Sequence, residues 1–354
     1  MKSPAGAAAL YCLHAPYRAG DSLPASSSFR PAIRATVKAM KHHLSRREAI
    51  AAAASVLVSN SPAAPPEKRL PICAFSKHWH WTGVAETAEI CASLGYDGID
   101  LTVRDGGHVL PERVQEDLPK AVETIRKAGL QIPMITSGIV DTKSPHAAQV
   151  LKAMSALGIR RYRWGGFRYT ETPGIPEQLA GFQARVKDLA AMNREYGVCA
   201  MYHTHSGPNQ VGASMWDLYL LLKDLDPRFV SVNYDIGHAT AEGGYGGWIH
   251  STRLLLPFMR GVAVKDFAWK TNARGVWVPG WCPLGKGMVP FKQFFTMLKA
   301  GGFSGPLQLH MEYPELGGAD SGKKTFSIPR DRLLAIMRRD IGTLKGLLRE
   351  AEWA

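Results

Sequence analysis

Four short apolar runs of this 354-residue chain end in residues able to bind metals or move protons. AMYHTHSG carries His203 and His205, and VNYDIGHA carries Asp235 and His238. VAVKDF carries Lys265 and Asp266, and LQLHMEY carries His310 and Glu312. Residues two apart on a strand share a face, which pairs His203 with His205 and His310 with Glu312. Asp235 and His238 flank Gly237 in a tight exit from their run. Charged groups buried at strand ends are costly unless they are paired or hold a metal. Imidazole with carboxylate suits one divalent transition ion such as Mn, Zn, Co or Fe. The mundane alternatives are a hydrogen-bonded core histidine at His310 and a structural ion pair at Lys265–Asp266.

Residues so far apart in sequence need a scaffold that gathers strand ends at one face. From Leu70 onward, strand-like runs alternate with helix-like stretches. The strands read LPICAFSKHW, GIDLTVR, QIPMITSGI, RYRWGGFRY, CAMYHTHS, VSVNYDIGH, GVAVKDF and PLQLHMEY. Helices are expected over residues 84–94, 112–128, 146–157, 176–196, 214–222, 248–258, 291–300 and 330–351. Glycines in KAGLQI, SALGIR and AGGFSG fit the left-handed stop of a helix. Eight such alternations predict a single-domain (β/α)8 TIM barrel over residues 68–351, whose C-terminal strand ends line one pocket. A doubly wound sheet is disfavoured because no G-x-G-x-x-G follows the first strand.

Composition fits a large globular core, with 45% apolar residues. Net charge is +13, of which residues 1–67 supply eight Lys/Arg against three acids, leaving about +8 spread over the rest. No basic stripe interleaves with aromatics, so no nucleic-acid partner is expected. The cysteines Cys12, Cys73, Cys91, Cys199 and Cys282 form no C-x-x-C pair, which argues against a zinc knuckle or disulfide framework.

Residues 1–67 read as a leader outside the fold. KHHLSRREAI, with Arg46-Arg47, is followed by AAAASVLV and a small-residue stretch over residues 59–64. That order suits twin-arginine export to the periplasm or beyond. The apolar piece is far shorter than the roughly 20 residues needed to span a bilayer, so no membrane span is expected in the mature form. Met40, in MKHHLSRR, would give a signal of ordinary proportions and is the expected true start.

Over residues 68–350 the chain resembles the xylose-isomerase-like barrel superfamily of sugar phosphate isomerases and epimerases. The resemblance rests on YHTHSG, YDIGHA, VKDF, PLGKGMVPF and LHMEY. It implies one divalent metal held at the ends of strands 5 to 8, and two glutamates that move protons between adjacent sugar carbons. Asp235 and Glu312 match the strand-6 and strand-8 acids of that pattern, and His238 matches a substrate-contacting histidine. Two positions depart from it. Strand 5 offers His203 and His205 in place of glutamate, and Ala263 stands where relatives carry a histidine ligand. The resemblance therefore implies His205, Asp235, His310 and Glu312 as metal ligands, with Glu312, His203 and Lys265 as catalytic groups. A metal-free site with Lys265 as the cation is the alternative.

Lys77, His78, Arg104, His108, Trp164 and Trp269 follow the remaining strand ends and are expected, with His238, to contact substrate. Arg168 also lies near strand 4, and Trp277 and Trp281 share a glycine-flanked stretch with Trp269. Arginine and lysine at a pocket mouth suit phosphate or carboxylate, and indole faces stack on sugar rings. The expected function is a metal-dependent carbohydrate isomerase or epimerase acting through an enediolate on a small sugar. The alternatives are a keto-glycoside β-eliminating lyase and a non-catalytic sugar-binding barrel. A homo-oligomer is compatible with either.

Overall fold

The computed structural model describes residues 69–353. The expectations about the leader, its paired arginines and the start at Met40 lie outside the described residues. The elements in chain order are β1 (Ile72–Phe75), α1 (Val84–Leu94), β2 (Gly98–Val103), α2 (Val114–Lys127), β3 (Gln131–Ser137) and α3 (Ala147–Ala156). β4 (Arg161–Trp164), α4 (Ile175–Tyr196), β5 (Cys199–His203), α5 (Trp216–Leu222), β6 (Val230–Asp235), α6 (Ile236–Gly243) and α7 (Gly247–Leu255) follow. The chain continues through β7 (Met259–Val264), β8 (Asp266–Thr271), β9 (Trp277–Cys282), α8 (Phe291–Ala300), β10 (Leu307–Leu309) and α9 (Arg330–Glu350).

Strands β1 to β7 and β10 close into one barrel in the order β1-β10-β7-β6-β5-β4-β3-β2. Every pairing around the ring is parallel. The fold is the expected single-domain TIM barrel. No helix among the described residues is long and apolar enough to cross a membrane.

Period-two alternation sorts the strand residues between two environments. Ile99 and Leu101 of β2, Ala200 and Tyr202 of β5, and Val232 and Tyr234 of β6 join the apolar shell under the helices. The intervening residues point inward. Met134, Cys199 and Met201 form a small separate apolar cluster. Two residues further toward the C-terminal ends of β3 and β5, the inward residues become Thr136 and His203, with Arg163 of β4 between those strands. The strand ends therefore sit on a packed plug, which makes the barrel mouth a pocket with a floor.

Two elements differ from the sequence reading. The glycine-flanked stretch carrying Trp269, Trp277 and Trp281, for which no strand was expected, forms with Asp266 and Phe267 the antiparallel hairpin β8–β9, whose tip is closed by Asn272 and Gly275. Helix α6 starts directly at the end of β6, because the Asp235 carboxylate accepts a hydrogen bond from the His238 backbone N–H and caps it. The expected helix over 248–258 is the separate α7.

Candidate active site

The inward ends of β5, β6 and β10 bring His203, Asp235 and His310 together. One donor atom from each lies within 4.8 Å of the other two, and all three side chains are buried. His203 Nε2 is 3.6 Å and His310 Nδ1 is 3.9 Å from Asp235 Oδ2. Asn233, two residues before Asp235 on the same face, sets its Nδ2 3.1 Å from His203 Nδ1 and so fixes the ring. Phe75 stacks on His310 at 4.5 Å and fixes the second ring.

Both ring nitrogens of His310 are buried without a hydrogen bond, and Asp235 Oδ2 has only the Lys265 ammonium, 3.2 Å away. Leaving a buried ring without partners is costly, and neutral imidazoles gathered beside a carboxylate oxygen are what a metal ion requires. The donor set fits a divalent cation on this ground. Burial lowers the basicity of the His203 and His310 rings well below the usual histidine range, leaving them neutral. Burial also pushes the Asp235 carboxyl up to about 6, against the pull of Lys265.

Lys265 follows β7 and fills the wall beside the cluster. Its Nζ donates to Glu312 Oε2 at 2.8 Å, and it lies 2.7 Å from His238 Nε2 and 3.2 Å from Asp235 Oδ2. On the other side of the ring, His238 Nδ1 accepts from the Ser206 backbone N–H at 3.0 Å and lies 2.7 Å from the Ser206 hydroxyl. The Trp281 ring, delivered by β9, covers Lys265 with its centroid 4.2 Å from Nζ and packs against His238. Gly237 lets this lysine pass, since a Cβ there would meet Lys265 Cγ at 2.8 Å.

Glu312 is held from both sides, by Lys77 at 2.5 Å and Lys265 at 2.8 Å. Burial alone would raise its carboxyl, but the two ammonium charges outweigh that and hold it well below the usual carboxylate range. Asp266 caps the loop that leads into α8. Its carboxylate accepts from the backbone N–H groups of Gly285, Gly287 and Val289, and a Cβ at Gly287 would meet Oδ1 at 2.2 Å. The PLGKGMVPF motif therefore anchors the hairpin that carries Trp281.

Several expected site residues stand elsewhere. His205 lies outside the donor cluster, because β5 ends at His203 and the strand alternation stops there. Its ring packs edge-on against His203 at 4.5 Å, and its Nε2 is 3.3 Å from Arg163. Burial, with Arg163 adding to it, lowers His205 to about 3. Glu312 is salt-bridged to lysines and is not among the three clustered donors. His78 has both nitrogens committed internally, to the Ala319 carbonyl and the Met311 N–H. His108 is likewise tied to Ser76, Thr82 and the Thr102 hydroxyl. Trp164 points outward with Tyr162 and packs on Phe167 and Tyr202. Trp269 sits on the hairpin, 40% exposed, against Phe267. Lys77, Arg104, His238 and Lys265 do reach the mouth or its wall.

The sequence reading missed Arg163, Phe75, Asn233 and Asp100. Arg163 was readable by alternation: if Tyr162 and Trp164 face the helices, Arg163 faces inward. Tyr162 does reach Asn193 of α4, at 2.8 Å. Asp100, inward on β2, is bonded through both oxygens to the Thr136 hydroxyl at 2.9 Å, and burial raises it to about 7. Phe75 is an apolar residue among apolar residues and carries no signal.

A closed parallel barrel with titratable side chains gathered at the C-terminal strand ends is the architecture of a TIM-barrel protein with its site at the top face. The chain belongs to the xylose isomerase-like TIM barrel family, whose profile matches residues 88–331. No curated protein sequence matches it. Among solved structures it is similar to a xylose isomerase-like TIM barrel protein from Mycobacterium smegmatis in complex with magnesium. The two share 16% identity over 80% of this chain and 98% of that one, with a TM-score of 0.57. It is also similar to a D-psicose 3-epimerase from Clostridium cellulolyticum H10 solved with D-tagatose, at 12% identity over 79% and 99%, TM-score 0.58. A third is the IOLI protein with a bound zinc atom, at 16% identity over 80% and 99%, TM-score 0.59.

Proposed function

We propose that the protein is a metal-dependent isomerase or epimerase of a small carbohydrate. The observation that carries this reading is the buried cluster of His203, Asp235 and His310, in which the His310 ring nitrogens have no hydrogen-bond partner. These three residues would hold one divalent ion and leave further coordination positions open to substrate. Two imidazoles and a carboxylate suit zinc, manganese, iron or cobalt better than a purely oxygen-bound ion. The magnesium and zinc in similar structures, and the sugar in the epimerase, support the same class.

When bound, the ion would supply Lewis-acid polarisation of a sugar carbonyl and its neighbouring hydroxyl. Glu312 is the group we assign to take the proton from the carbon beside that carbonyl. Its two lysine partners keep it ionised at neutral pH but also weaken it as a base. Lys265 offsets that weakness, since the same ammonium would stabilise the negative charge growing on the substrate oxygen. Glu312, then carrying that proton, would return it to the adjacent carbon, while His205, neutral and outside the donor cluster, would hydrogen-bond the neighbouring hydroxyl in place of His203. Trp281 shields the Lys265 side of the pocket from water.

The test is metal analysis of the mature protein purified without chelator, together with solvent deuterium exchange into a panel of keto sugars. Stoichiometric metal and metal-dependent exchange at one C–H are expected. Folded protein that takes up no Zn, Mn, Fe or Co and catalyses no exchange would leave a sugar-binding barrel in its place. Export is proposed on Arg46-Arg47; cell fractionation of the wild type beside an Arg46→Lys/Arg47→Lys variant checks it, and equal export of both would overturn it.

A further inference from the structure

Four cations reach the barrel mouth: Lys77, Arg104, Arg163 and Lys265. The two lysines are spent on Glu312 and Asp235. The two arginines are not matched in this way. Among the described residues, the Arg104 guanidinium makes no hydrogen bond and no ion pair; its contact is with the Phe75 ring, at 5.9 Å. Arg163 has one polar contact, His205 Nε2 at 3.3 Å, and also lies over Phe75, at 5.7 Å. His310 stacks on Phe75, so the two guanidinium groups border the donor cluster across a single ring.

Each guanidinium offers five N–H donors in a planar fork. Two such groups brought to one buried ring, neither in a salt bridge with an acid, repel each other and leave donors unused. The nearest acid does not resolve this. Asp100 directs both carboxylate oxygens to the Thr136 hydroxyl rather than to an arginine. Burial, with Arg104 adding to it, lowers Arg163 to about 10, which still leaves it charged at neutral pH. An oxyanion with two or more acceptor oxygens would satisfy both forks at once, and the net charge of about +8 outside residues 1–67 would draw anions toward the mouth.

We propose that Arg104 and Arg163 clamp a carboxylate or phosphate group of the substrate, which makes the substrate an acidic sugar derivative rather than a neutral sugar. This rests on the reading of the mouth as a sugar site. The experiment is titration calorimetry of the mature protein at constant ionic strength with D-glucuronate, D-glucose 6-phosphate and D-glucose. These ligands share one ring and differ in the end group. Inorganic phosphate is the fourth probe.

At least one anionic sugar is expected to bind tenfold or more tightly than D-glucose, and the stronger arm identifies carboxylate or phosphate. Arg104→Gln and Arg163→Gln should each bring that affinity down toward the level of D-glucose. The proposal is overturned if no anionic probe exceeds D-glucose, or if both variants keep the preference while melting as cooperatively as the wild type. Should Arg163→Gln fail to fold, Arg104→Gln carries the test, since its side chain lies beyond β2. Anion preference in a protein that binds no metal would leave the clamp standing and remove the isomerase mechanism. Metal-dependent exchange on neutral sugars alone would do the reverse.

Discussion

Lys265 Nζ stands 3.2 Å from Asp235 Oδ2, the same oxygen that faces His203 Nε2 and His310 Nδ1. One carboxylate oxygen thus serves an ammonium on one side and the donor cluster on the other. Lys265 is the built-in counter-ion of Asp235 and Glu312, and it competes with a metal for the same negative charge. Lys265→Met leaves two carboxylates without their shared partner, and removing one member of a buried pair costs about 3–5 kcal/mol. The expected result in denaturant melts is a loss of that order without metal, with more recovery on adding zinc than the wild type shows. Equal stability of the two proteins in chelator would refute the counter-ion role.

The donor cluster separates His203 from His205. Asp235→Ala and His310→Ala are expected to reduce bound metal to below a tenth of the wild-type content, because each removes one of three ligands. His205→Ala is expected to keep the metal and to lose turnover. Metal analysis beside an exchange assay distinguishes the two; loss of metal in His205→Ala would return that residue to the ligand set.

Gly237→Ala puts a methyl group 2.8 Å from Lys265 Cγ and 2.9 Å from its carbonyl. Overpacking of this kind costs about 1–3 kcal/mol. The larger effect is expected on catalysis, since the displaced lysine spans Asp235, His238 and Glu312. A thermal melt and an exchange assay on the same preparation measure both; unchanged turnover would mean that Lys265 tolerates displacement.

Asp100 gives a pH dependence of stability with a definite sign. Its carboxyl is raised from an ordinary 3.8 to about 7 in the fold, chiefly by burial. Between those values the folded state holds a proton that the unfolded chain has released, so stability falls as pH rises from about 4 to 7. Below that window the contribution is constant, and above it the loss is complete, at up to about 4 kcal/mol for a shift of this size. Asp100→Asn keeps a partner for Thr136 and removes the titration. It should therefore be more stable than wild type at pH 8 and little different at pH 4. Parallel denaturation curves at the two pH values would show no such divergence if Asp100 were ionised in the fold.

The barrel and the neighbourhood of its site were legible in the sequence for a local reason. Eight apolar runs with period-two alternation, helix-length spacers and glycine stops fix which segments become strands and where each strand ends. A parallel barrel then places those ends on one face. Asp235, Lys265, His310 and Glu312 were all found this way, because polar residues closing buried strands are visible in one dimension. Two elements were legible only in hindsight. The β8–β9 hairpin hides in a tryptophan-rich stretch without strict alternation, and α6 depends on a cap made by Asp235 itself.

What each residue does was decided by tertiary structure. Strand alternation holds only while the strand lasts, so His205, one step beyond β5, lost the face that His203 keeps. Glu312 has the chemistry of a ligand, but the two lysines that follow β1 and β7 reach it, and no local pattern encodes that meeting. His78 and His108 are spent on backbone carbonyls, amides and hydroxyls that come near only once the barrel closes. The sequence fixes which side chains arrive at the mouth, because that follows from period and burial. Which of them remain bare, paired or charged depends on distances of a few ångströms between distant strands, and only packing sets those.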